Sequence, residues 1–335
     1  MRKVLYVPLD DRDCNYQFPW LLSQMTEGLE LLRPPYEWMG FLKKPANREK
    51  IWEWLFEQAG ECDYAILSVD TLVYGNIIGS RIHTYSMEEC RETMDRFRQL
   101  KKQNPQLHIH AFNLAARVAA YNDNHEDPEY WQEYGYDIWR YTWLWDKKKR
   151  AEISEKEAEE LESLQKKIPE EIMQDFLERR KTDRFVNLTS VELVREDVFD
   201  ILTVPKDDTA EFGYAALDQM AIMQKAEGEQ LMDRVYCYPG ADEVGSVIFA
   251  RVFCQIKQYQ PVFYVRYSSL TGSSVIPLYE DRPLGESIKW QILSAGGICS
   301  ETPADADCML AVNAPGTCQI ESANQKNGRN FASDN

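Results

Sequence analysis

No apolar run in the chain approaches the roughly 18 residues needed to span a bilayer, and basic side chains are in the minority. Asp and Glu outnumber Lys and Arg by 55 to 38, leaving a formal net charge of -17. That excess excludes a broad surface for nucleic acid or anionic membrane. Histidine occurs four times and cysteine eight, the latter without a C-x-x-C or C-x-x-x-C pair. Paired zinc-ligand cysteines and a disulfide framework are therefore not expected, and free buried thiols are. Also missing are G-x-x-x-x-G-K-[ST], G-x-G-x-x-G and G-x-S-x-G, so neither a nucleotide cradle nor a nucleophile elbow is supported. The start "MRKVLYVPLDD" enters a strand pattern without a leader-type apolar core, which predicts a cytoplasmic protein.

What is present is a chain of 335 residues, 44% hydrophobic, long enough to bury a large core. Nine tryptophans and eighteen tyrosines read mainly as packing, and secondarily as walls for a flat or sugar-like ligand. Short β-branched and aromatic runs alternate with helical patterns, as in a parallel sheet of βα units. Eight runs predict strands: 3–9, 29–34, 64–70, 107–113, 199–205, 234–239, 262–267 and 308–313. Between them, "ANREKIWEWLFEQAG" begins at the cap Asn47 and stops at Gly60, and "SMEECRETMDRFRQL" opens with a Ser86/Glu89 capping box.

Residues 121–184 interrupt the alternation. An aromatic patch leads into charged helical text, with Ser154/Glu157 as a further capping box and Pro169 opening another helix. The predicted organisation is a first βα set over 1–120, a helical insertion over 121–184, a second βα set over 185–318 and a disordered tail over 319–335. Two phrases, "VLYVPLDD" and "ILTVPKDD", share a V-P-x-D-D ending. The pattern fits a TIM-barrel-like (β/α)8 fold or two Rossmann-like domains, and eight strands favour the barrel slightly.

Both architectures bind ligands at the carboxyl ends of their strands. The residues there are Asp10, Asp11, Arg12 and Asn15; Asp70, Tyr74 and Arg81; Asn113 and Arg117; Asp207 and Asp208; Asp242 and Glu243; Arg266; and Asn313. Helix capping accounts for single acids at such junctions. It does not account for their doubling or for the arginines among them, since crowded like charges need compensation. Asp10, Asp70, Asp208 and Glu243 are the candidate catalytic acids, and the remainder candidate substrate-binding groups. Three uses are open. Paired carboxylates in unlike environments serve as general acid and base, as in cleavage of a glycoside or similar polyol. Clustered oxygens hold Mg²⁺ or Ca²⁺. A non-catalytic sugar-binding or structural protein uses the acids only as caps. His108 and His110 form an H-x-H, but toward the opposite rim, and no metal ligand is assigned to them.

The phrases "VPLDDRDCNYQFP", "LLRPPYEWMG", "AILSVDTLVYGNIIGSR", "VPKDDTAEFGY", "YPGADEVGSVIFAR", "YEDRPLGESI" and "ADCMLAVNAPG" together resemble the bacterial family known as domain of unknown function 4127, in the same order along nearly the whole chain. The resemblance implies a large α/β protein and no particular activity. It points to Asp10, Asp11, Arg12, Asn15, Asp70, Tyr74, Gly75, Ser80, Arg81, Asp207, Asp208, Gly240, Asp242, Glu243 and Arg251. Asp13 and Cys14 stand where a proline commonly follows the arginine, and Asn76 where a second glycine is expected. Members look longer past "AVNAPG", so the chain reads as a C-terminally shortened one.

Overall fold

The computed structural model describes all residues except 208, 209, 279, 317 and 319–335. The expected tail therefore lies outside the described residues, as does Asp208. Two compact units emerge, Met1–Ser246 and Val247–Asn335.

Near-continuous apolar runs form the centre of the first unit because both faces of a parallel sheet are covered. Its six strands are β1 (Arg2–Val7), β2 (Leu29–Leu32), β3 (Tyr64–Ser68), β4 (His108–Phe112), β5 (Ile201–Lys206) and β6 (Val235–Pro239), in spatial order β2-β1-β3-β4-β5-β6. All adjacent pairs are parallel. Val4, Leu5, Tyr6 and Val7 of β1 and Ala65, Ile66 and Leu67 of β3 are fully enclosed. The two V-P-x-D-D phrases thus end β1 and β5, two strands of one sheet.

Helix punctuation follows the side-chain chemistry seen in the sequence. The helix Arg48–Gln58 is capped by Asn47, which accepts from the Lys50 amide, and Met87–Gln103 carries the Ser86/Glu89 capping box. Trp52 of the first helix meets Phe97 of the second edge-on at 4.9 Å, and Phe97 meets Phe199 at 5.1 Å. Fully burying large side chains such as these contributes about 1.5–3 kcal/mol each. Between β4 and β5 run three helices, Trp131–Arg150, Glu155–Lys167 and Glu170–Arg195. The last buries Val186, Val191, Leu193 and Val194 in the main core while turning Arg180, Asp183 and Asn187 inward as buried polar groups.

The second unit holds β7 (Val262–Tyr267), β8 (Ile298–Ser300) and β9 (Cys308–Val312), a parallel sheet ordered β8-β7-β9. β8 has three residues, too few to give a strand signal in the sequence, and the other eight strands fall in the eight apolar runs. No described helix is long and apolar enough to cross a membrane.

Gly75 fixes the chain path after β3. It ends the helix Val69–Tyr74 at φ +101°, and a Cβ there would lie 2.4 Å from the Pro45 Cβ. Its carbonyl accepts from the Ala46 amide at 3.1 Å. Gly75→Ala is expected to destabilise the protein by about 2 kcal/mol or more, through backbone strain and the clash together, as read from urea unfolding against the unsubstituted chain.

Candidate functional site

The sheet order places a crevice where the chain reverses direction. From β1 it winds outward to β2, then returns to the other side for β3. Loops leaving β1 and β3 therefore diverge, and the space between their carboxyl ends is where open α/β sheets take ligands. Asp10, Asp11, Arg12, Asn76, Arg81 and Glu126 line a cleft there, with Leu42, Ile77 and Ile78 on its aliphatic side. Its free volume is about 50 Å³.

Each charged wall is built locally. After β1, Asp10 is buried and accepts from the Arg12 amide at 3.1 Å, Arg12 Nε at 2.9 Å and Asn15 Nδ2 at 2.9 Å. Arg12 Nη2 bridges Asp10 and Asp242, at 2.7 Å to each. Burial works against the Arg12 charge, but the hydrogen bond to Asp10 and the charges of Asp10 and Asp242 outweigh it and raise its pKa. Asp11 accepts a 3.3 Å bond from the Tyr36 hydroxyl. Partial burial, with Asp10 beside it, pushes its carboxyl above the ordinary value.

After β3, Asn76 begins the helix Ile77–Ile82 by accepting from the Gly79 amide at 2.6 Å, and its Nδ2 donates to the Leu42 carbonyl at 2.9 Å. A glycine here would supply neither bond. This short helix carries Arg81, whose side chain is only 5% exposed and is gripped by Glu126 at 2.8 Å and Asp207 at 2.7 Å. Arg117 extends the network, pairing with Glu126 at 3.3 Å and Asp127 at 3.0 Å. Burial opposes the charge of Glu126, yet the hydrogen bond from Arg81 and the Arg81 and Arg117 charges hold its pKa below the ordinary value. Asp127 goes the other way: burial raises it despite both arginines.

Of the residues singled out in the sequence, Asp10, Asp11, Arg12, Asn15, Arg81, Arg117, Asp207 and Asp242 come together in this network. Asp70, Tyr74 and Asn113 lie beneath it. Asp70 is enclosed, accepting from the Leu114 amide at 2.9 Å and from Asn113 Nδ2 at 3.2 Å. Asn113 Oδ1 in turn accepts from Asn187 and Ser190. Tyr74 is buried and stacks on His83 at 4.6 Å. Glu243 sits half-buried just before the helix Val244–Lys257. Arg266 is exposed on β7, and Asn313 follows β9 and accepts from the Ser268 hydroxyl at 3.2 Å; both belong to the second unit. On the opposite rim, His108 pairs with Asp200 at 2.9 Å.

Sequence reasoning missed Glu126 and Asp127. They lie in "NDNHEDPEY", at the entry to the helical insertion. The signal they offer is an acidic pair before a proline on the long excursion that leaves β4, on the rim where the other strands also end. Among the described residues, no group of three or more His, Cys, Asp and Glu side chains is arranged to hold a metal ion.

A family profile described as "Protein of unknown function (DUF4127)" matches residues 4–334. No curated protein matches the chain.

Burial raises Asp70 from 3.8 to about 7, against the bonds from Leu114 and Asn113 that favour its ionised form. A folded value above the unfolded one gives stability that is present near pH 4 and lost as pH rises toward 7, about 4 kcal/mol over that window. Urea unfolding of the natural chain and Asp70→Asn across this range should show the stability difference shrinking by that order as pH rises. A constant difference would contradict an Asp70 that titrates near neutrality.

Proposed function

The chain belongs to DUF4127, a family whose description specifies no reaction, and from the cleft itself we propose a hydrolase that uses general acid–base catalysis on a small glycoside or similar polyol. Asp11 is the proton donor, Glu126 the base that activates water, and Arg12 and Arg81 orient the substrate's oxygens. The carrying observation is that Asp11 and Glu126 line one cleft in unlike surroundings. Partial burial and the Asp10 charge raise the Asp11 pKa against its Tyr36 bond and the Arg12 charge, whereas Glu126 is held ionised by Arg81. Two carboxyl groups pushed apart in this way are suited to opposite protonation states at one pH.

Asp10 and Asp207 are positioning residues in this reading. Each is committed to a guanidinium, Asp10 to Arg12 and Asp207 to Arg81. Free volume near 50 Å³ is well below the roughly 300–1,000 Å³ of a pocket that engulfs a drug-sized ligand. The reacting end of a substrate enters, and the rest lies across the mouth. For the fold we favour a doubly wound, Rossmann-like first unit over a (β/α)8 barrel, because the strand order reverses at β1. A site organised by Mg²⁺ or Ca²⁺ is the weaker alternative: the cleft acids Asp10 and Glu126 are already neutralised by arginines.

The test is a glycoside and polyol-ester screen with the full chain, followed by Asp11→Asn and Glu126→Gln. On a cleaved substrate each variant is expected to lose about 10²–10⁴-fold in kcat, the general acid–base scale, with KM changing far less. Since Asp11 acts protonated, kcat should fall as pH rises through its raised pKa, and Asp11→Asn should abolish that limb. Cleavage that persists unchanged in both variants rejects the assignment.

A further inference from the structure

One strand of the second unit is left open on its outer side. β9 forms an edge of the three-stranded sheet, with β7 as its only strand partner among the described residues. Cys308, Met309, Leu310 and Ala311 are exposed and Val312 is half-buried. The edges of the first sheet differ: Leu29 and Leu31 of β2 and Val235, Cys237 and Tyr238 of β6 are buried. Apolar strands of a parallel sheet are normally enclosed, and an uncovered apolar edge is a template for pairing with another chain.

The exposure of β9 falls on both faces of its sheet. Successive side chains of a strand point to opposite faces, so Met309, 53% exposed, and Ala311 lie on one face and Leu310, 37% exposed, on the other. A helix or loop laid on the sheet would cover one face, whereas a strand added alongside meets both. Backbone alternation shows which groups face the open side. The Ile298 amide donates to the Pro261 carbonyl on the β8 side of β7, and the Ser268 amide to the Val312 carbonyl on the β9 side. In the register Val265↔Leu310, the backbone groups of Cys308, Leu310 and Val312 are therefore spent on β7, and those of Met309 and Ala311 turn to the open edge. Residues 313–335 contain no run of three apolar residues, so no strand signal follows to occupy it.

We infer that β9 is an interface between two copies of this chain, paired antiparallel, edge to edge, about a two-fold axis at Leu310. In this register β9 matches itself. Met309 lies opposite Ala311 of the second copy and exchanges both backbone hydrogen bonds with it, and the symmetry repeats the exchange. Leu310 meets its own counterpart in a non-hydrogen-bonded pair and Cys308 meets Val312, so every cross-strand contact is apolar. Charge selects the orientation. Asp305 and Asp307 precede β9, and no acid follows it before Glu321. Antiparallel pairing sets Asp307 against Asn313 of the second copy, whereas parallel pairing would set the acids side by side, which is unfavourable. The contact uses the same patch on both copies and so closes at the dimer. It involves no residue of the cleft and stands apart from the acid–base reading.

Sedimentation equilibrium of the full chain over a series of loading concentrations is expected to give a mass rising toward twice the 39.1 kDa of one chain. Ala311→Pro removes an outward-facing N–H and no bond to β7, the position at which a strand tolerates proline. That variant is expected to keep the mass of one chain throughout, with its far-ultraviolet circular dichroism unchanged. Leu310→Cys puts a thiol from each copy at the non-hydrogen-bonded centre of the pair, where Cα atoms stand about 4.5 Å apart and a disulfide can form. Mild oxidation should link the chains there, mapped by peptide mass spectrometry to position 310 and not to Cys308 or Cys318. A single-chain mass at every concentration overturns the inference, whether the edge is bare or covered by the chain's own residues, as does a dimer that survives Ala311→Pro. Should that variant fail to fold, the crosslink decides, and its absence overturns the pairing.

Discussion

Arg81 and Arg117 are enclosed at the ends of the strands, and a guanidinium cannot escape burial by shedding its proton. Everything near them has to answer that charge. Asp207 from β5 and Glu126 and Asp127 from the excursion after β4 do so, pulling together segments that are far apart along the chain. Removing one partner of such a pair leaves an uncompensated charge, a cost of about 3–5 kcal/mol in comparable buried pairs. After β1 the enclosed charge is that of Asp10, answered by Arg12, which is half-exposed and also reaches the exposed Asp242. Compensation of buried charge therefore ties together the segments after β3, β4 and β5.

Beneath this charged layer lies a hydrogen-bonded one. Asp70, Asn113, Asn187 and Ser190 form a chain of buried hydrogen bonds linking the helix after β3, the end of β4 and helix Glu170–Arg195. Burial raises Asp70 to about 7, so it carries less charge near neutral pH than an ordinary carboxylate would. The long helix is bonded to the end of β4 through Asn187, and about two turns earlier Arg180 donates to the Ala116 carbonyl. Rigid support of that kind is what holds a polar constellation in place.

Strand ends were readable because a parallel sheet covered on both faces demands uninterrupted apolar runs, and those runs are plain in 3–9, 64–70 and 107–113. Caps were readable for an equally local reason: Asn47, Ser86 and Ser154 each satisfy an amide three residues on. β8 was not, since three residues carry no period. Glu126 and Asp127 escaped notice because an acidic pair before Pro128 is ordinary loop chemistry until Arg81 and Arg117 are seen beside it. Asp70 is the reverse case. Its place after a strand made it look like a rim acid, whereas the helix Val69–Tyr74 turns it inward to the Leu114 amide.

By itself the sequence determined the α/β class, the acidic surface, most strand and helix limits, and the set of strands whose ends carry Asp and Arg. These follow from interactions between residues a few positions apart, or from composition. Tertiary structure alone decided that β5 and β6 join the first sheet, that Arg81 is answered by Glu126 and Asp207, and that Asp11 rather than Asp70 opens onto the cleft. Pairing between strands and neutralisation of buried charge act over separations of tens to more than a hundred residues, and no local pattern encodes which distant partner will arrive.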